Sequence, residues 1–219
     1  MNPARRAFPV ATCTPPVFKR RLFANATFSG TAKRADCGSA VGAAKIIRMT
    51  VITETLVEDS RFGALTVRLD TERGEVVVEG AAVPRTVLSR SAGTEAEEHI
   101  PVGTRAGDRL TLTVDGAEAD VRPAKGRLTR RSYAVDVRHA GHVWRLLPDS
   151  VPDSRLLRDG RRLGDFTSRG DGEVSAEWRA NAAPKAVDAS VGYALAAGFG
   201  TGAQPMWMLV VDAIGDLIP

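Results

Sequence analysis

Ala64-Leu-Thr-Val-Arg-Leu-Asp70 alternates with a period of two: Leu65, Val67 and Leu69 fall on one face, Thr66, Arg68 and Asp70 on the other. A half-buried strand has this pattern, and it recurs at 109–115, where Leu110, Leu112 and Val114 share a face. Outward from these stretches, residues 49 to 181 break into short segments rich in Val, Leu, Ile and Thr, punctuated by Gly or Asp-Gly. Such spacing is the mark of an all-β sandwich or barrel. The expected strands are 49–56, 62–70, 74–79, 84–90, 96–102, 108–114, 117–122, 127–138, 142–147, 154–159, 161–167 and 173–180. Asp115-Gly116, Asp159-Gly160 and Asp171-Gly172 supply residues that tolerate the positive φ of tight hairpin turns. About a dozen strands leave two exposed edges, and closing them into a barrel removes both.

The pattern changes after Pro184. Ala186-Val-Asp-Ala-Ser-Val-Gly-Tyr-Ala-Leu-Ala-Ala-Gly-Phe199 forms helix well and has small residues on nearly every side, as a helix surrounded by protein does. A helix is expected over 185–200, ending among Gly198, Gly200 and Gly202, and a second, amphipathic one over 205–217. The fold class is therefore mainly β, an antiparallel barrel or sandwich with one or two apolar C-terminal helices. Residues 49–219 form one domain. Residues 190–211 carry no charge, so a membrane anchor is one reading of them, although Gly198, Gly200, Gly202 and Pro205 interrupt the middle.

The chain has 219 residues and a net charge of +4, which describes neither of its parts. Residues 1–48 hold nine basic side chains and one acid, Asp36; the rest is net −4. With Pro3, Pro9, Pro15 and Pro16 and no buried periodicity, this leader reads as disordered and outside the fold. No uninterrupted apolar run follows its charges, so a secretory signal does not fit and a cytoplasmic protein, peripheral to a membrane, is expected. Cys13 and Cys37, expected as free thiols, both lie in the leader. The body thus has no disulfide framework and no cysteine metal site. It uses 19 Arg against two Lys, with abundant Ala and Gly, as a GC-rich bacterial gene does.

A body of short strands closing on Ser154 to Phe166 and Glu173 to Arg179, followed by the small-residue helix Ala186 to Phe199, resembles the tubby-like C-terminal superfamily, with its LURP-one-related and scramblase-like members. The resemblance covers residues 49 to about 200 and implies a closed antiparallel barrel around the helix, with lipid or protein binding in place of catalysis. The chain departs from it by continuing through Pro205 to Pro219.

Candidate chemistry is sparse. His139-Ala-Gly-His142 sets two imidazoles beside a turn, but a metal needs three or four ligands and no acid has the spacing. They are weak metal candidates, and neither a metal nor a cofactor is expected. Glu95, Glu97, Glu98 and His99 read as a solvated strand. The body lacks Gly-x-Ser-x-Gly, and Gly-Phe-Gly-Thr-Gly at 198–202 follows a helix, so it is a linker and not a phosphate loop. At 5% aromatic, the chain has no stacking surface for single-stranded nucleic acid.

Charge is more informative. Residues 49–121 carry seven basic and 14 acidic groups, and residues 122–169 carry 12 basic and five acidic. The basic block offers Arg127, Arg130, Arg131, Arg138, Arg145, Arg155, Arg158, Arg161 and Arg162 as an anion-binding patch, unless they pair across strands with the acidic third. The expected function is a non-catalytic binding or scaffolding domain for an anionic lipid surface or a protein partner. The alternative is a small enzyme with its site at strand ends near His139 and His142.

Overall fold

A computed structural model describes residues 19–21, 52–126, 129–150 and 152–200. Eleven strands follow one another in a meander: β2 (Ile52–Asp59), β3 (Gly63–Asp70), β4 (Glu75–Gly80), β5 (Val83–Arg90), β6 (Leu110–Val114), β7 (Ala117–Pro123), β8 (Val135–His139), β9 (His142–Pro148), β10 (Asp153–Arg158), β11 (Arg161–Ser168) and β12 (Val174–Trp178). A three-residue strand from the leader, β1 (Lys19–Arg21), lies antiparallel to β2. Every strand pairs with its neighbours in sequence, all antiparallel, and the sheet curls until β12 approaches β2. The result is a nearly closed barrel with Leu65, Val67, Leu88, Leu112, Val137 and Leu156 turned fully inward.

Three hairpins turn on two left-handed residues each, Asp115-Gly116, Ala140-Gly141 and Asp159-Gly160. This geometry matches the twist of the flanking strands. Asp171-Gly172 instead belongs to a longer connection in which Gly170 and Gly172, but not Asp171, have positive φ.

Two expected strands are corrected. Residues 96–102 are loop: the run Glu97-Glu98-His99 is exposed, and only Ile100 and Val102 reach the core. Its backbone serves the helix instead, Val102 N–H donating to Gly198 O at 2.9 Å. Within 127–138, a 3-10 turn at Arg130–Tyr133 precedes β8, so the strand starts only at Val135.

Helix α1 (Ala186–Phe199) runs through the barrel, buried on all sides from Asp188 to Phe199. Burying Val191, Leu195 and Phe199 there contributes about 1.5–3 kcal/mol each. Two carboxylates fix its entry. Asp188, fully buried, accepts from Trp144 Nε1 at 2.7 Å and from the N–H of Lys185 at 2.6 Å, and pairs with Arg158. Asp59 accepts from Trp178 Nε1 at 2.9 Å, from Tyr193 Oη at 2.8 Å and from the N–H groups of Arg61 and Phe62. Each carboxylate ties an indole of the wall to the helix or its entrance.

At the far end the helix stops at Gly200, in the left-handed region with φ 58°. Here Arg105 is 6% exposed, its guanidinium 5.1 Å from the Phe199 ring and bonded to the carbonyls of Ala124, Tyr133 and Ala134. No helix among the described residues is long and apolar enough to cross a membrane. The first half of the uncharged 190–211 stretch is the core of the barrel. The second expected helix, 205–217, and both cysteines lie outside the described residues.

Candidate binding surface

The meander carries the charge pattern of the chain directly into space. Because strand order equals sequence order, the acidic block 49–121 becomes the arc β2–β7, while β8–β11 and their turns hold six arginines of the basic block against five aspartates. The first arc is negative and the second close to balanced.

On the second arc most of the arginines have local carboxylate partners. Arg145 forms a two-pronged bond with Asp136 on the neighbouring strand, at 2.6 and 2.8 Å, which raises its pKa further. Arg155 bonds Asp149, with Nε at 3.0 Å, and Arg131 stands 3.7 Å from the same group. The bond from Arg155 holds the Asp149 carboxyl below its ordinary pKa. Arg162 pairs with Asp165 three residues on, and Arg158 with the buried Asp188. These partners belong to the basic block itself or to α1, not to the acidic first third. Sequence cannot show this, because it depends on the strand register: Asp136 meets Arg145 only through the two-residue turn between β8 and β9.

Arg138 and Arg161 are exposed and take part in no ion pair among the described residues. Arg138 sits on the outer face of β8 beside Val143, itself 38% exposed. Arg161 opens β11 at the Asp159-Gly160 turn, opposite Arg158. Arg130 is half-buried in the 3-10 turn. Arg127 lies outside the described residues.

The two histidines occupy the barrel rim above the helix entrance, opposite each other across the Ala140-Gly141 turn. His142 Nδ1 is 2.7 Å from Asp159 Oδ2, and its ring stands edge-on to Trp144 at 5.8 Å. His139 Nδ1 is 3.4 Å from the carbonyl of Glu118. The N–H of Val143, then His142, hold the Asp159 carboxyl below its ordinary pKa. This pair resembles the base and orienting acid of a hydrolase, but neither imidazole meets a hydroxyl or thiol nucleophile among the described residues. Among those residues, no group of three or more His, Cys, Asp or Glu could hold a metal.

At the opposite end, a cleft of about 450 Å³ is lined by Thr71, Glu97, His99, Arg169, Phe199 and Gly200. Its acids are exposed and stand in loop, without the strand scaffold expected for 96–102. No local pattern marks the roles of Asp59, Asp188 and Arg105, since an isolated Asp or Arg in a strand-rich chain reads as surface. Comparison with protein-family models, with curated proteins and with solved structures finds no match to this chain.

Proposed function

We propose that this protein is a non-catalytic binding domain that sits on an anionic lipid surface through the outer face of β8–β11. The observation that carries the reading is that α1 fills the barrel, leaving its interior to a hydrophobic core and no place for a substrate chamber. Recognition then falls to the outside, where β8–β11 and their turns carry Arg138, Arg145, Arg155, Arg158, Arg161 and Arg162. From Val135 to Ser168 six arginines stand against five aspartates, a small positive excess. On these strands Arg138 and Arg161 are the arginines in no ion pair among the described residues, and Val143 is an apolar contact beside the first. The barrel around a helix also resembles the tubby-like superfamily, for which lipid or protein binding is the expectation.

Co-sedimentation with vesicles of phosphatidylcholine containing phosphatidylserine tests this. Retention is expected at low salt and should fall as salt rises. Arg138→Glu with Arg161→Glu should weaken it about a thousandfold, since each arginine near such a surface contributes about 1 kcal/mol and reversal doubles the loss to about 4 kcal/mol for the pair. The same exchange at Arg68 and Arg85, on the acidic arc, should change it little. No retention at low salt overturns the lipid reading and leaves an acidic protein as the partner to seek.

A further inference from the structure

The hairpins β8–β9 and β10–β11 end side by side, because β9 pairs with β10. Asp159 ties their tips together: its carboxylate accepts from the N–H of Val143 at 2.9 Å, and its own N–H donates to the carbonyl of Val143 at 2.8 Å. These tips hold Arg138 and Arg161, and with them two of the three histidines of the chain. His139 and His142 stand opposite each other across Ala140-Gly141, in the same hairpin as Arg138 and Val143. The charged groups around them come from three elements. His142 meets Asp159 at 2.7 Å, and Arg158 acts on the same carboxylate. His139 meets the carbonyl of Glu118 on β7, and Arg138 beside it lies opposite Asp120.

Asp159 stays ionised in mild acid, since the Val143 N–H and then His142 hold its carboxyl below the ordinary range. A carboxylate facing Nδ1 keeps a proton on that nitrogen, so Nε2 of His142 is the one that takes up the second proton. With both imidazoles neutral, the six arginines of β8–β11 exceed the five aspartates by one. Histidine side chains gain their second proton between about pH 8 and 5. Two such protons raise that excess from one to three, at the end of the face where Arg138, Arg161 and Val143 already stand. We propose that His139 and His142 make the docking of this face on anionic lipid proton-dependent, weak at neutral pH and strong in mildly acid surroundings. The proposal rests on the lipid reading above and adds the condition under which that surface engages.

Co-sedimentation of the full chain with the same phosphatidylcholine–phosphatidylserine vesicles at low salt, at about pH 7.5 and about pH 5.5, tests it. Each positive charge near such a surface is worth about fivefold in affinity, so wild type should bind about 25-fold more tightly in acid. His139→Gln and His142→Gln should each reduce that gain to about fivefold, and the two together should remove it. His99→Gln, in the cleft at the opposite end of the barrel, should keep the full gain. If the double variant does not fold, the two single variants decide the matter. Equal retention of wild type at the two pH values, or a full gain in both single variants, overturns the proton dependence and leaves the lipid reading standing. No retention at either pH overturns both.

Discussion

Replacing Gly192 by alanine sets two effects against each other inside the barrel. The helix itself gains about 1 kcal/mol from the change. In place, the new Cβ would stand 2.9 Å from Leu156 Cδ2 and closer still to Cζ of Phe166, where touching carbons keep about 3.5–4.0 Å. Both neighbours are fully buried, and the Phe166 ring is held edge-on by Trp178 and Tyr193 at 5.5 and 5.2 Å between centroids. The ring has nowhere to move. Overpacking costs about 1–3 kcal/mol, and a ring fixed on two sides puts this position at the top of that range. The net expectation is a loss of about 2 kcal/mol, or about 4–8 °C in Tm for a domain of this size. Urea denaturation followed by tryptophan fluorescence should show a lower midpoint at unchanged slope. Phe166→Leu opens the space, so the double variant should lose at least about 1 kcal/mol less than the sum of the two single losses. A Gly192→Ala chain as stable as wild type, or strict additivity with Phe166→Leu, would refute a helix packed through the barrel.

Asp59→Ala should cost about 4 kcal/mol, because it orphans the buried Trp178 N–H and Tyr193 O–H together at about 1–3 kcal/mol each; a midpoint shift under 1 kcal/mol, by the same denaturation, would show that the clamp is idle. Ala140→Gly should stabilise by about 1 kcal/mol, since alanine at φ 47° occupies a region that costs an L-residue about 1–2 kcal/mol, and a lower Tm would contradict that. The Tyr193 phenol is pushed above its ordinary 10.0 by burial and by Asp59 beside it. Its share of stability is present below that pH and lost as pH rises past it, so the alkaline limb of a stability–pH curve should flatten in Tyr193→Phe. Asp159 works in the other direction: its carboxyl lies below the ordinary 3.8, so its contribution is present above that value and lost below it. In Asp159→Asn the acid limb should flatten.

The fold was legible wherever a strand has one wet face. Leu65, Val67 and Leu69 announce β3 because the barrel interior is dry and its exterior is not, and the small residues of α1 announce a helix with protein on every side. The misreading at 96–102 has a physical source: Ile100 and Val102 alternate as in a strand, but they pack against the end of α1 and not beside another strand. The site was less legible. A list of arginines does not show which have carboxylates within reach, and Arg138 and Arg161 are distinguished from Arg145 and Arg155 only by register and turn geometry. Asp188 is addressed by Trp144 and Arg158, 44 and 30 residues away, and no local pattern encodes that.

The element at the centre of the barrel is also the last of the described elements to be synthesised. While the ribosome is still adding residues before 186, the nascent strands have no helix to close on, and Leu65, Leu88, Leu112 and Phe166 face water. Vectorial synthesis therefore delays the collapse of the sheet until its plug emerges. Chains cut short before α1 present a sticky, open sheet to chaperones and proteases, so quality control can tell a finished molecule from an unfinished one by whether the barrel has shut.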